Sequence, residues 1–164
     1  MLKILVVSDS HGNVNLLHDV VSANRNVDLV IHLGDHTADG NEVMRDFPTI
    51  AYLTVSGNCD IGSFLNKTNT EGTFTAEGRR IFYTHGHKYN VKYGTQYLVS
   101  QAKINNADIA LYGHTHVSGV DEQNGVLVVN PGSIGFPRDG TGGTYCLLEI
   151  KDKNVKYEIK EVQR

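Results

Sequence analysis

The apolar residues of the chain gather in short runs broken by glycine, asparagine, aspartate and proline. Leu2 to Val7 is the first run and reads as a buried strand, bounded by Ser8-Asp9-Ser10-His11-Gly12. Val14 to Ala23 follows, with Leu17, Val20 and Val21 at helical spacing and Asn13 in the N-cap position. Asp28 to His32 is a second strand, leading into Leu33-Gly34-Asp35-His36. Asn41 to Phe47 is a short helix that must stop near Pro48. Thr49 to Val55 is a third strand, leading into Ser56-Gly57-Asn58-Cys59-Asp60. This β-α-β-α-β alternation predicts a parallel sheet with right-handed crossovers.

Beyond it the texture changes. Gly72 to Ala76 and Arg80 to Thr84 flank Glu77-Gly78, a hairpin signal, and the second of these strands ends in His85-Gly86-His87. Gly94 to Asn105 reads as a helix. Asp108 to Tyr112 reads as a buried strand ending in Gly113-His114-Thr115-His116, whose two imidazoles would point to the same side of extended backbone. Val117 to Asp121 and Val126 to Val129 flank Asn124-Gly125, the strongest hairpin turn of the chain, and Asn130-Pro131-Gly132-Ser133 follows. A last hairpin, Thr144 to Ile150 and Val155 to Lys160, turns at Lys153-Asn154. Its second strand alternates Val155, Tyr157 and Ile159 with Lys156, Glu158 and Lys160, so one face is wet. Many strands and few helices predict two sheets face to face with helices outside. No repeat or linker interrupts residues 1–164, which read as a single domain.

Composition narrows the classes. With 164 residues, 40% of them hydrophobic, one core suffices, and a net charge of −3 offers no basic footprint for nucleic acid. Two cysteines, Cys59 and Cys146, make no disulfide framework, and a reduced, cytoplasmic setting is expected. The chain opens directly on a strand without a signal-peptide h-region, and no apolar run approaches the roughly 20 residues of a membrane span. Eight histidines are many for this length, so their positions matter.

Five strands end in residues of metal-ligand type: Asp9 and His11, Asp35, Asn58, His85, then His114 and His116. The C-terminal ends of parallel strands share one edge, where ligands bind. Singly, each such residue reads as a turn former or a structural histidine. Together the seven point to a metal centre. Two carboxylates, one amide and four imidazoles, with no obligatory thiolate, suit Mn²⁺, Fe²⁺, Zn²⁺, Ni²⁺ or Co²⁺. Seven ligands exceed the need of one ion and suit two that share a carboxylate. Two ions about 3.5–4 Å apart hold a bridging hydroxide and clamp an in-line displacement at phosphorus.

Asp9-Ser10-His11, Gly34-Asp35, Gly57-Asn58-Cys59-Asp60, His85-Gly86 and Gly113-His114-Thr115-His116 resemble, in type and order, the motifs of the calcineurin-like metallophosphoesterases. The likeness runs from residue 2 to about 135. The short length and Asn130-Pro131-Gly132-Ser133 are most similar to the small prokaryotic phosphodiesterase subfamily. The resemblance implies an α/β fold, a four-layer α-β-β-α sandwich of two mixed sheets. It implies Asp9, His11 and His116 on one metal, Asn58, His85 and His114 on the other, Asp35 bridging, and attack by the bridging hydroxide. The expected catalytic set is Asp35, Asn58, Cys59 and His85, and Mn²⁺ is the first choice of metal. Many relatives carry His where Cys59 stands, and that His, oriented by the neighbouring Asp, protonates the leaving oxygen. A thiol with pKa about 8.5 suits that work less well. A preference for good leaving groups follows, or another acid. His36 and His87 are candidates, although each reads more readily as a supporting or surface residue. Asp60 orients a neighbour, His18 and His32 read as structural, and Cys146 as buried. Asn130 and Ser133 either brace a ligand histidine or shape the turn. Arg138, in the glycine-rich loop 135–143, reads as exposed, with a substrate phosphate as its other role.

The leading expectation is a dinuclear-metal phosphodiesterase acting on small phosphate esters, with no nucleic-acid or membrane partner. A phosphomonoesterase or dinucleotide pyrophosphohydrolase is the enzymatic alternative. A non-catalytic interaction scaffold, as in the retromer subunit of this fold, is the alternative of another class. A scaffold should have lost ligand positions, and all seven stand here. Relatives are often dimers or larger, so the resemblance allows a homo-oligomer (dimer or tetramer), which no heptad supports.

Overall fold

The continuous apolar runs become strands covered on both faces, and the reason is visible in β1. A computed structural model of the chain describes residues 1–60 and 69–163. In β1 (Leu2–Val7), Ile4 and Val6 face one core and Leu5 and Val7 another, all four fully buried. A strand covered twice needs no polar alternation. The order continues α1 (Val14–Ala23), β2 (Leu29–His32), α2 (Thr37–Val43), β3 (Ala51–Thr54), β4 (Glu71–Ala76), β5 (Arg79–Thr84), α3 (Gln96–Ile104), β6 (Ile109–Leu111), β7 (Gly119–Gln123), β8 (Val126–Asn130), β9 (Thr144–Lys151) and β10 (Asn154–Glu161).

The first sheet has the order β10-β9-β1-β2-β3, and the second β4-β5-β6-β8-β7. β1, β2 and β3 run parallel, as do β5, β6 and β8, and antiparallel strands complete both sheets. A central core joins them: Ile4, Val6 and Ile31 of the first sheet meet Ile81, Ile109 and Leu111 of the second. α1 and α2 cover the outer face of the first sheet through Leu17, Val20, Val21 and Val43. α3 covers the second through Leu98, Val99 and Ala102. The result is the four-layer α-β-β-α sandwich. Each fully buried Leu, Ile, Val or Phe contributes on the order of 1.5–3 kcal/mol.

Some local expectations shift. α2 begins at Thr37, not Asn41, and a 3-10 turn, Met44–Asp46, replaces its expected second half. Gly40 weakened the pattern, and it is glycine because a Cβ there would lie 2.2 Å from the Tyr52 hydroxyl. Asn13 sits at the N-cap of α1, but its amide donates to the Ser10 carbonyl at 3.2 Å instead of capping. The last hairpin turns one residue early, at Asp152-Lys153, because Asn154 already pairs with Lys151. Tyr157 is exposed rather than on a buried face, since β10 is an edge strand.

Candidate metal centre

The parallel strands of both sheets end at one rim, and the seven ligand-type residues stand there in two groups. Asp9 Oδ1 lies 3.1 Å from His116 Nε2 and 3.8 Å from His11 Nε2, and the two imidazole nitrogens are 3.3 Å apart. Asp35 completes this first group, with Oδ2 3.8 Å from His11 Nε2. In the second group, His85 Nε2 lies 3.2 Å from Asn58 Oδ1, 3.2 Å from His114 Nδ1 and 3.5 Å from Asp35 Oδ1. Asp35 therefore turns one oxygen to each group.

The expectation that His114 and His116 share one side of extended backbone does not hold. β6 ends at Leu111, and both histidines are left-handed, with φ +70° and +61°. One joins each group. Asp9, His11 and Asp35 are left-handed too, at φ +54°, +47° and +57°. Such backbone costs on the order of 1–3 kcal/mol per non-glycine residue and persists only where neighbours hold it.

The neighbours are specific. Asp39 Oδ2 accepts from the Ser10 hydroxyl at 2.7 Å and from Gly12 N–H at 2.8 Å, gripping the chain on both sides of His11. Gly34 N–H donates to His32 Nδ1 at 3.2 Å, so His32 Nε2–H faces the Ser10 oxygen at 3.1 Å. Burial pushes the His32 pKa down to about 4, which keeps that ring neutral. Asp60 Oδ2 accepts from Asp35 N–H at 2.9 Å and Gly57 N–H at 2.8 Å, while Oδ1 accepts from Thr37 N–H at 2.8 Å and its hydroxyl at 3.2 Å. Cys59 N–H donates to Asp35 Oδ1 at 2.8 Å. Asn130 Nδ2 donates to the Gly113 carbonyl at 3.1 Å and to Thr115 Oγ1 at 2.9 Å. Gly113 admits the close approach of Ser8, whose Oγ would lie 2.0 Å from a Cβ there.

The donor set fits divalent cations. His116 Nδ1 pairs with the Phe136 carbonyl at 2.6 Å and His85 Nδ1 with the Leu33 carbonyl at 2.8 Å, so both Nδ1 atoms carry the proton. Their Nε2 lone pairs then face Asp9 Oδ1 and Asn58 Oδ1, acceptor against acceptor. Asp9 Oδ1 is buried without a hydrogen-bond donor. Imidazoles about 2.0–2.1 Å from one tetrahedral ion have nitrogens about 3.3 Å apart. Burial alone would raise the Asp9 carboxyl, but His11, His116, His85 and Ser8 outweigh it and hold it far below the usual range. The nearby Asp9 carboxylate raises His11, whereas burial and then His85 push His114 down to about 4.

Comparison with known proteins gives this geometry a family. The calcineurin-like phosphoesterase superfamily domain matches residues 2–153. The chain belongs to that superfamily. It is similar to the probable metallophosphoesterase YsnB of Bacillus subtilis, 33% identical over 92% of this chain and 86% of that protein. It is also similar to the phosphodiesterase YfcE of Escherichia coli, at 27% identity over 91% of this chain and 88% of that one. A crystal structure of a predicted phosphoesterase from Streptococcus pneumoniae aligns with a TM-score of 0.82 and 29% identity, covering 98% of this chain and 89% of that one.

Calcineurin-like phosphoesterases are metal-dependent, and Asp9, His11, Asp35 and His116 form a possible metal-binding cluster. The remaining residues singled out by sequence surround the two groups. The Cys59 side chain is exposed and accepts from Asn58 Nδ2 at 3.4 Å, and its nearest link to the centre is its backbone N–H. Desolvation of its inner side, then Asp35 and Asp60, push the thiol up to about 11. The His36 ring lies 5.2 Å from that of His11, and the His87 ring 5.3 Å from that of His85. Arg138 is exposed, and its backbone N–H donates to the His116 carbonyl at 2.9 Å. Ser133 Oγ donates to the Asp9 carbonyl at 2.8 Å, bracing the loop rather than a ring. Ser10 and Asp39 escaped the sequence reading. Their only local signal was position, Ser10 between two ligand types and Asp39 four residues after Asp35, in the first turn of α2.

Proposed function

We propose that this protein is a dinuclear-metal-dependent phosphodiesterase. The observation that carries the reading is Asp35, with one oxygen toward each of two compact donor groups. Asp9, His11 and His116 would hold one ion, Asn58, His85 and His114 the other, and Asp35 both. Mn²⁺ is the proposed metal for this mixed nitrogen and oxygen set, with Ni²⁺, Co²⁺, Fe²⁺ or Zn²⁺ as alternatives. When bound, two such ions supply an activated water and neutralise charge on both ends of a displacement at phosphorus.

The chain's own residues do the positioning. Cys59 N–H and Asp60 hold the Asp35 carboxylate and its backbone between the groups. The Leu33 and Phe136 carbonyls set the tautomers of His85 and His116, so lone pairs face inward. The Cys59 thiol, pushed up to about 11, keeps its proton at neutral pH and makes a weak acid, which fits a preference for esters with good leaving groups. Residues 1–164 are read as one catalytic domain. Both cysteines are free, in keeping with a reducing cytoplasm.

The test is hydrolysis of bis(p-nitrophenyl) phosphate by chelator-stripped protein titrated with Mn²⁺, beside p-nitrophenyl phosphate. Activity that saturates near two equivalents and favours the diester supports the reading. Preference for the monoester replaces it with a phosphomonoesterase. Folded protein that turns over neither ester with Mn²⁺, Ni²⁺, Co²⁺ or Zn²⁺ replaces it with the scaffold.

A further inference from the structure

The surroundings of the two donor groups differ in chemistry. The turns that follow His85 of the second group carry Lys88 and Lys92, and the Lys88 ammonium donates to Thr70 Oγ1 at 2.9 Å. Beside the first, two apolar side chains are exposed next to Arg138: Phe136 is 63% and Val117 44% exposed. The Phe136 ring meets His11 edge-on, centroids 5.8 Å apart.

The segment that carries this exposed ring is braced. Phe136 N–H donates to the buried Ser133 Oγ at 2.8 Å, and that hydroxyl donates to the Asp9 carbonyl at 2.8 Å. The Phe136 carbonyl pairs with His116 Nδ1 at 2.6 Å. Gly135 packs so closely that a Cβ would lie 2.2 Å from the Ser10 carbonyl. The Phe136 backbone is thus tied to the same chain segment and the same imidazole that form the first donor group, and it presents the ring beside His11.

We propose that Phe136 is a substrate subsite that takes a planar aromatic group of the ester, an aryl ring or a nucleobase. The inference rests on the phosphodiesterase reading and deepens it. An aromatic side chain on a braced backbone loses less ordering entropy on binding than one on a free loop, and stacking tolerates any flat π system. Phe136 flanks His11 of the first donor group, so an aromatic arm of an ester whose phosphate sits at the donor groups would lie over this ring.

Calorimetry on the Mn²⁺-loaded protein with phenylphosphonate and ethylphosphonate tests this, since both share an anionic head and neither is hydrolysed. Phenylphosphonate should bind tighter by roughly tenfold. Phe136→Ala should bring the ratio close to one, and Phe136→Trp should preserve it. A kinetic arm compares the phenyl, thymidine 5′- and ethyl esters of p-nitrophenyl phosphate, which share one leaving group. A low KM for the phenyl ester alone identifies an aryl arm, and a low KM for both aromatic esters includes the nucleobase. Equal affinity for the two phosphonates, or a ratio unchanged in Phe136→Ala, overturns the subsite. So does Phe136→Ala converting a dimer to a monomer with the ratio intact, because the ring then covers a second copy of the chain. Phosphonate discrimination without turnover of any diester keeps the subsite and sinks the phosphodiesterase reading. Turnover without discrimination does the reverse.

Discussion

Removing the Asp60 carboxylate should loosen both donor groups at once. Its two oxygens accept from Asp35 N–H, Gly57 N–H, Thr37 N–H and the Thr37 hydroxyl. Asp35 is the residue shared by the groups, and Gly57 precedes Asn58 of the second. A hydrogen bond to a charged group is worth about 1.5–3 kcal/mol, more when its partner is left buried and unpaired. Asp60→Asn keeps one oxygen for Asp35 and Gly57 but sets an NH₂ against Thr37 N–H. The bond from Thr37 N–H is lost, those from Asp35 and Gly57 are weakened, and the Thr37 hydroxyl turns to accept from the new amide, for a destabilisation of about 2–3 kcal/mol. Asp60→Ala loses all four. Water reaches this half-buried site and replaces part of them, so about 4 kcal/mol is expected rather than the full sum. Urea unfolding of chelator-stripped protein reads stability, and Mn²⁺ competition titration reads the ions. Both ions should bind about 10–100-fold more weakly in Asp60→Ala. The reasoning fails if Asp60→Ala is destabilised yet binds two Mn²⁺ with wild-type affinity, or if its unfolding midpoint does not move.

Other perturbations separate the parts of the site. Asp35→Asn should weaken both ions and remove most activity; wild-type turnover with two metals bound refutes the shared role. Asp39→Ala releases Ser10 and Gly12 on either side of His11, so the first ion should weaken about 10–100-fold while the second holds, and equal weakening of both argues against a local clamp. His32, depressed to about 4, is neutral when folded and protonates below about pH 6.5 when unfolded, so the unfolded chain binds more protons and stability falls as pH drops from about 6.5 to 4, by about 3 kcal/mol. His32→Gln should lose that much of the slope in urea titrations across this window, and an unchanged slope assigns it elsewhere. Cys59→His should speed hydrolysis of alkyl diesters with poor leaving groups, and no gain on those esters means that Cys59 does not limit leaving-group protonation.

Much of the centre was legible because its residues follow apolar runs directly. Asp9 and His11 after β1, Asp35 after β2 and His85 after β5 are local patterns, and parallel strands bring such ends together whatever the side chains in between. Where the reading slipped, a distant partner decided. α2 starts at Thr37 because the Asp60 carboxylate, 23 residues along, accepts its N–H. The His114 and His116 rings part because that loop turns left-handed where Asn130 and Asp9 hold its backbone.

By itself, then, the sequence determined the order of strands and helices, the residue types at the strand ends and the chemistry those types favour. All of these rest on periodicity and composition within a few neighbours. Only the tertiary structure decided how the seven candidate residues divide into two groups, which Asp35 oxygen faces each, and that the backbone of Phe136 is held beside them. Those features depend on left-handed backbone and on single hydrogen bonds between segments far apart in the chain, which no local pattern encodes.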